Sequence, residues 1–160
     1  MKRLLPTLLL AAALSVGCST IDCTLGNTVV AHYALDGEMK TLGDPLTITA
    51  DLGDGNDTVV LNRASGLATF SLPMSYQRPA DTFYLSIARG DSLVDRDTIV
   101  ITKTSVPHFE SVDCSPTFFH HITDVATTRH AIDSLVLNNP NVSHDVSRPT
   151  FKIYFKSNIH

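Results

Sequence analysis

Leu46-Thr47-Ile48-Thr49-Ala50-Asp51-Leu52 carries a hydrophobic residue at every second position. In an extended chain, side chains alternate between two faces, so 46, 48, 50 and 52 share one side while the threonines and the aspartate share the other. This is the signature of a strand with one face on a core and one in water, the usual condition of antiparallel sheets. The same period continues through Val59 and Leu61, then Ala68, Phe70 and Leu72, then Phe83, Leu85 and Ile87. It returns in Ile99 and Ile101 and closes with Phe151, Ile153 and Phe155. Val29 to Leu35, His108 to Asp113, Phe118 to Val125 and Ile132 to Leu137 are further candidate strands.

Short clusters of Gly, Pro, Asn and Asp separate these segments, and no long amphipathic helix is present in the pattern. About nine or ten short strands at this spacing predict an all-β domain, a single antiparallel β-sandwich of immunoglobulin-like type. A small closed barrel has the same periodicity and stays open as the alternative. No linker or internal repeat divides the region, which is read as one domain over 28–160. Its longest irregular piece, Asn138 to Pro149, is a loop on which a binding surface can sit.

Before this domain, Lys2 and Arg3 precede a thirteen-residue, almost uncharged run from Leu4 to Val16 that ends in Gly17 and Cys18. That layout is a signal peptide over 1–17. The run is too short to span a hydrocarbon layer of about 30 Å, which takes about 20 helical residues. Leu14-Ser15-Val16-Gly17-Cys18 resembles a lipobox, although Ser15 stands where leucine is usual. The resemblance implies cleavage before Cys18 and acylation of its thiol, with residues 18–27 as a short tether. Each buried acyl methylene contributes about 0.8 kcal/mol, so two or three chains hold firmly.

Three cysteines in an exported chain leave one without a partner unless it has another fate. Lipidation of Cys18 removes the odd thiol, and Cys23 and Cys114 are then expected to form a disulfide. Neither has a neighbouring cysteine or histidine at metal-ligand spacing. Loss of Lys2 and Arg3 takes the formal charge from −4 to −6, and no run of Lys or Arg remains. Such a domain is a poor partner for nucleic acid or for anionic lipid headgroups.

Few residues carry a specific chemistry. Asp51-Leu52-Gly53-Asp54-Gly55-Asn56-Asp57 has the composition of a calcium loop. Counting from Asp51 or Asp54, however, puts Asn62 or Ser65 where a bidentate glutamate belongs, so a hairpin turn is the better reading. His120 and His121 point to opposite faces of a strand, so at most one joins His108 or His130 in a common site. No metal site and no cofactor is expected. No Gly-x-Ser-x-Gly elbow marks a nucleophile, and Glu38 and Glu110 are the only glutamates, so the chain is read as not an enzyme and without catalytic residues. The chain has no tryptophan and four tyrosines, of which Tyr84 and Tyr154 fall on the polar phase of their strands. These two are the candidates for a contact surface.

The segments Pro107-His108-Phe109-Glu110-Ser111-Val112-Asp113-Cys114-Ser115-Pro116, Phe118-Phe119-His120, Ala131-Ile132-Asp133-Ser134 and Phe151-Lys152-Ile153-Tyr154-Phe155 resemble a family of small, uncharacterised Bacteroidales lipoproteins, a domain of unknown function. The Cys23 segment and Phe70-Ser71-Leu72-Pro73-Met74 are similar to it as well. The resemblance implies a lipoprotein with two further cysteines and a partner such as an outer-membrane β-barrel or another envelope protein. It supplies no catalytic residue. The expected address is the outer membrane, facing the periplasm, since no aspartate follows Cys18 directly; the cell surface is the alternative. The expected role is a non-enzymatic accessory that docks on such a partner, with a glycan- or small-ligand-binding lipoprotein as the other reading.

Overall fold

The computed structural model describes Cys23, Gly26 and residues 28–89 and 92–157. The signal segment expected over 1–17 and Cys18 lie outside these residues. The described chain has ten strands and no helix. One sheet holds β4 (Thr69–Pro73), β1 (Val30–Leu35), β10 (Phe151–Phe155) and β8 (Ile132–Leu137), in that order. The other holds β3 (Thr58–Ala64), β2 (Leu46–Asp51), β5 (Ala80–Arg89), β6 (Ser92–His108), β7 (Thr117–Thr127) and β9 (Asn141–Val142). Neighbours are antiparallel throughout, except for the first and last strands, β1 and β10, which run parallel.

The alternating residues explain the assembly. Leu46, Ile48, Phe83, Leu85, Ile99 and Ile101 line the inner face of the larger sheet. They join Ala31, Tyr33, Leu72, Phe151 and Ile153 of the smaller sheet in one contiguous core. Across the smaller sheet, Tyr33 stacks on its register partners Phe70 and Phe151, at centroid distances of 4.7 and 4.8 Å. The two sheets share no strand pairing among the described residues, so the fold is a sandwich and not a closed barrel. A constant-type immunoglobulin domain places strands A, B, E and D in one sheet and C, F and G in the other. The order found here does not reproduce that arrangement, because β5, β6 and β7 run as a meander inside one sheet.

Three expectations change in detail. His108 to Asp113 is not a strand: β6 ends at His108, and residues 109–116 form the turn into β7. The predicted loop over 138–149 contains the two-residue β9, which pairs with His120 and His121 of β7. Val59 is exposed, since a bulge opposite Ile48 and Thr49 resets the phase of β3 and turns Val60 and Leu61 toward the core.

Inside the sandwich, Asp97 of β6 is almost wholly buried. Its carboxylate accepts hydrogen bonds from the backbone N–H of His130, Ala131 and Ile132 and from the Thr128 hydroxyl, at 2.7–2.8 Å. Burial alone pushes this carboxyl up, but the four donors outweigh it and hold it below the ordinary range. One side chain thus satisfies the turn that carries the chain from β7 to β8 in the opposite sheet. Replacing it by alanine leaves two buried N–H groups and one half-buried one unpaired. Asp97→Ala is expected to lower stability by at least about 3 kcal/mol, with Asp97→Asn milder, as read from urea denaturation midpoints.

Candidate functional site

Both tyrosines singled out by their phase stand on outer faces, but of different sheets. Tyr84, in the middle of β5, donates a hydrogen bond to Asp51 Oδ2 at 2.9 Å and lies under the Arg96 guanidinium, 4.4 Å from the ring centroid. Asp51 also accepts from Gly53 N–H, at the start of the turn suggestive of calcium. Asp54 does the same for Asn56 N–H, and Gly53 and Gly55 adopt positive φ. The acidic loop is a turn closed by its own carboxylates. Tyr154, on β10, belongs to the smaller sheet. Tyr84 and Tyr154 therefore do not form one surface.

Tyr154 lines an open cleft of about 440 Å³ with Asp36, Gly37, Glu38, Asp133 and Lys156. The cleft is built by the turn after β1. Gly37, at φ 86°, lies against the Tyr154 ring so closely that a Cβ there would come within 2.8 Å of it. Asp36 accepts hydrogen bonds from Lys152 Nζ at 2.9 Å, Gly37 N–H at 2.9 Å and the Tyr154 hydroxyl at 3.4 Å. The Lys152 hydrogen bond comes first among the causes that keep its carboxyl below the usual range. The cleft offers carboxylates and a phenol ring, groups that suit a polar ligand with several hydroxyls or an amine.

A second surface lies on the outer face of the larger sheet, where β6, β7 and β9 meet. Val106 and Phe119 are register partners, and Val106 is 61 % exposed. The His108 ring stacks on Phe119 at 4.4 Å, and His144 meets its edge at 5.6 Å. His121 Nδ1 and Asn141 Oδ1 are 2.8 Å apart at the rim. Val106, Phe119, His121 and Asn141, together with His120, Val142 and Ser143, line a shallow depression of about 290 Å³ whose surface is mostly apolar. Elsewhere the outer phase of this sheet carries Thr47, Thr49, Thr82 and Ser86, which makes the apolar stretch stand out.

His120 and His121 do point to opposite faces. His120 is buried, with Nδ1 2.9 Å from Ser105 Oγ, whereas His121 is exposed. No group of three or more His, Cys, Asp or Glu among the described residues is arranged to hold a metal ion. Inside the core, Lys103 Nζ lies 2.7 Å from Asp81 Oδ2 and donates to the Arg78 carbonyl, and Asp81 accepts from Ser75 N–H. Asp81, Asp97 and Lys103 escaped the sequence reading, yet the signal was present. They continue the inward phases of Phe83 to Ile87 and of Ile99 to Ile101.

Cys23 and Cys114 are joined by a disulfide, with 5.8 Å between their Cα atoms and a sequence separation of 91. Thr117 Oγ1 donates to the Gly26 carbonyl at 3.1 Å, so two bonds fix the N-terminal segment to the β6–β7 turn. No described helix is long and apolar enough to cross a membrane.

An all-β sandwich with a disulfide from its N-terminal segment to the β6–β7 turn and two separate surface depressions is the class that fold and site define. The chain belongs to the family of unknown function DUF6452, whose model matches residues 45–155, from the residue before β2 to the end of β10. No curated protein and no solved structure matches it significantly.

Two predictions follow from this geometry. Reduction of the disulfide, or replacement of both Cys23 and Cys114 by serine, is expected to lower stability by about 4–5 kcal/mol, as chain entropy gives for a closed loop of this length. Urea unfolding with and without reductant measures it. His120 supplies the second. Burial, then the neighbouring Lys103 charge, lower its pKa to about 4, with Asp81 opposing. As pH falls from about 6.5 to 4, the unfolded chain takes up a proton that the folded chain refuses, so stability present above this window is lost within it. The loss is at most about 3 kcal/mol. Unfolding midpoints between pH 7 and 4.5 should fall in the native chain and stay flatter in His120→Gln.

Proposed function

We propose that this chain is a lipid-anchored protein of the cell envelope, held through Cys18 at the periplasmic side of the outer membrane. There it works as a non-enzymatic module that docks on an envelope partner such as an outer-membrane β-barrel. The observation that carries the docking role is the apolar stretch around Val106 and Phe119, flanked by the rings of His108 and His144. Apolar and aromatic groups in a shallow depression with a polar rim are the composition of a protein-contact surface. The anchor reading is supported by the lipobox-like sequence before Cys18 and by the disulfide, which secures the body a few residues after it.

The Tyr154 cleft favours a second reading, a glycan- or small-ligand-binding lipoprotein. Its carboxylates, ring and open shape fit a polyhydroxylated ligand better than a flat protein surface.

Affinity purification of the tagged, lipidated protein after crosslinking in its own envelope separates the two. The docking role predicts one outer-membrane protein in equal amount, reduced about tenfold by Val106→Asp, a change of roughly 1.4 kcal/mol, and unaffected by Tyr154→Ala. Absence of any stoichiometric partner, together with a glycan-array signal that Tyr154→Ala removes, would overturn it in favour of the second reading. Cys18→Ser is expected to release the protein from the membrane fraction in either case.

A further inference from the structure

We infer that the β6–β7 turn is a second, non-covalent membrane contact, in which Phe109 and Val112 enter the interfacial layer of the lipid surface that holds Cys18; this rests on the anchored reading above. Phe109 is 61 % exposed and Val112 is 96 % exposed. Single exposed apolar residues are common on soluble proteins, so exposure by itself says little. Position gives it meaning. Cys114, two residues beyond Val112, is bonded to Cys23, and Thr117 holds Gly26. Five peptide steps separate Cys23 from Cys18. Fully extended they reach at most about 18 Å, so the turn cannot leave the neighbourhood of the membrane surface.

The surroundings suit an interface. Tyr76, in the adjoining connection between β4 and β5, is half exposed and stacks on Phe118 at the start of β7 with 4.5 Å between centroids. Tyrosine at such a place presents an apolar ring to the acyl boundary and a hydroxyl to water. Between Thr104 and Thr117 there is no Lys or Arg, while Glu110 and Asp113 are present. The contact therefore works by apolar burial into zwitterionic lipid and is weakened by anionic headgroups, the reverse of a basic patch.

The chain has no tryptophan, so a single one can be placed at will. Phe109→Trp and Val112→Trp, each in the lipidated full-length protein, are compared with Thr41→Trp, which lies in the exposed connection between β1 and β2 at the opposite end of the sandwich. On phosphatidylcholine vesicles containing brominated lipid, the tryptophans at 109 and 112 are expected to shift to the blue and to be quenched about twofold, with that at 41 unaffected. Adding Val112→Asp to the Phe109→Trp chain should reverse the quenching at 109. If the protein floats with vesicles and carries lipid on Cys18 but neither tryptophan is quenched, the inference is overturned and the anchored reading stands. A blue shift without quenching overturns it too, since protein and not lipid then covers the turn. If the protein does not float and Cys18 carries no lipid, both readings fail together.

Discussion

Two buried carboxylates make the sandwich possible. Of the nine connections between the described strands, six carry the chain from one sheet to the other. Each crossing takes backbone N–H and C=O groups past the rim of an apolar core, where an unpaired one costs as much as a lost hydrogen bond or more. Asp97 answers this at the β7–β8 crossing with acceptors for three consecutive N–H groups. Asp81 answers it at the β4–β5 crossing by accepting from Ser75 and pairing with Lys103. The Lys103–Asp81 pair is itself expensive to desolvate, and its extra bonds to the Arg78 carbonyl and the Ser75 N–H are what make it tolerable.

These crossings sort the molecule into two ends and two faces. The register puts the β6–β7 turn, the β4–β5 connection and the Cys23 disulfide at one end. The Tyr154 cleft and the turn after β1 sit at the other. An anchored body with its disulfide beside the tether would hold the first end at the lipid and present the cleft away from it. The Phe119 face lies on the flank of the larger sheet, close to the β6–β7 turn. On the proposed reading, a lipid contact, a protein contact and a ligand site would fall on different parts of the surface.

Much of this arrangement was readable in the alternation. Ile132 to Leu137 and Phe151 to Phe155 are strands with the bounds the period gives, and the inner faces hold the residues it assigns. The failures have physical causes. Asp81, Asp97 and Lys103 escaped notice because charge masks phase, although each lies two residues from an inward-facing hydrophobic. Val59 was assigned inward because a bulge adds a residue that periodicity cannot count. His108 to Asp113 had strand-like composition, but β6 ends at His108, and the disulfide at Cys114 and the backbone bond from Cys114 N–H to the Ser111 carbonyl belong to a turn. Tyr154 and Asp36 meet because parallel β10 pairs with β1, a partnership between chain ends that local pattern does not encode.

The sheet edges bear on how any protein partner binds. A long flat edge invites an added strand, and folds suppress that with short, bent or interrupted edge strands. Here β9 is two residues long, β4 ends in Pro73, and β3 is bulged, with Arg63 at a positive φ of 46°. The fourth edge, β8, is six residues long with Val136 and Leu137 exposed, and a bulge between Ile132 and Ser134 interrupts its ladder with β10. The four edges are thus poor templates for β-augmentation, which needs an uninterrupted row of free N–H and C=O groups. Recognition is left to side chains on the sheet faces, where the described surface departs from polar alternation at the stretch around Val106 and Phe119. A partner that docks there need not disturb the hydrogen-bond ladders, and the sandwich can serve as a rigid platform for it.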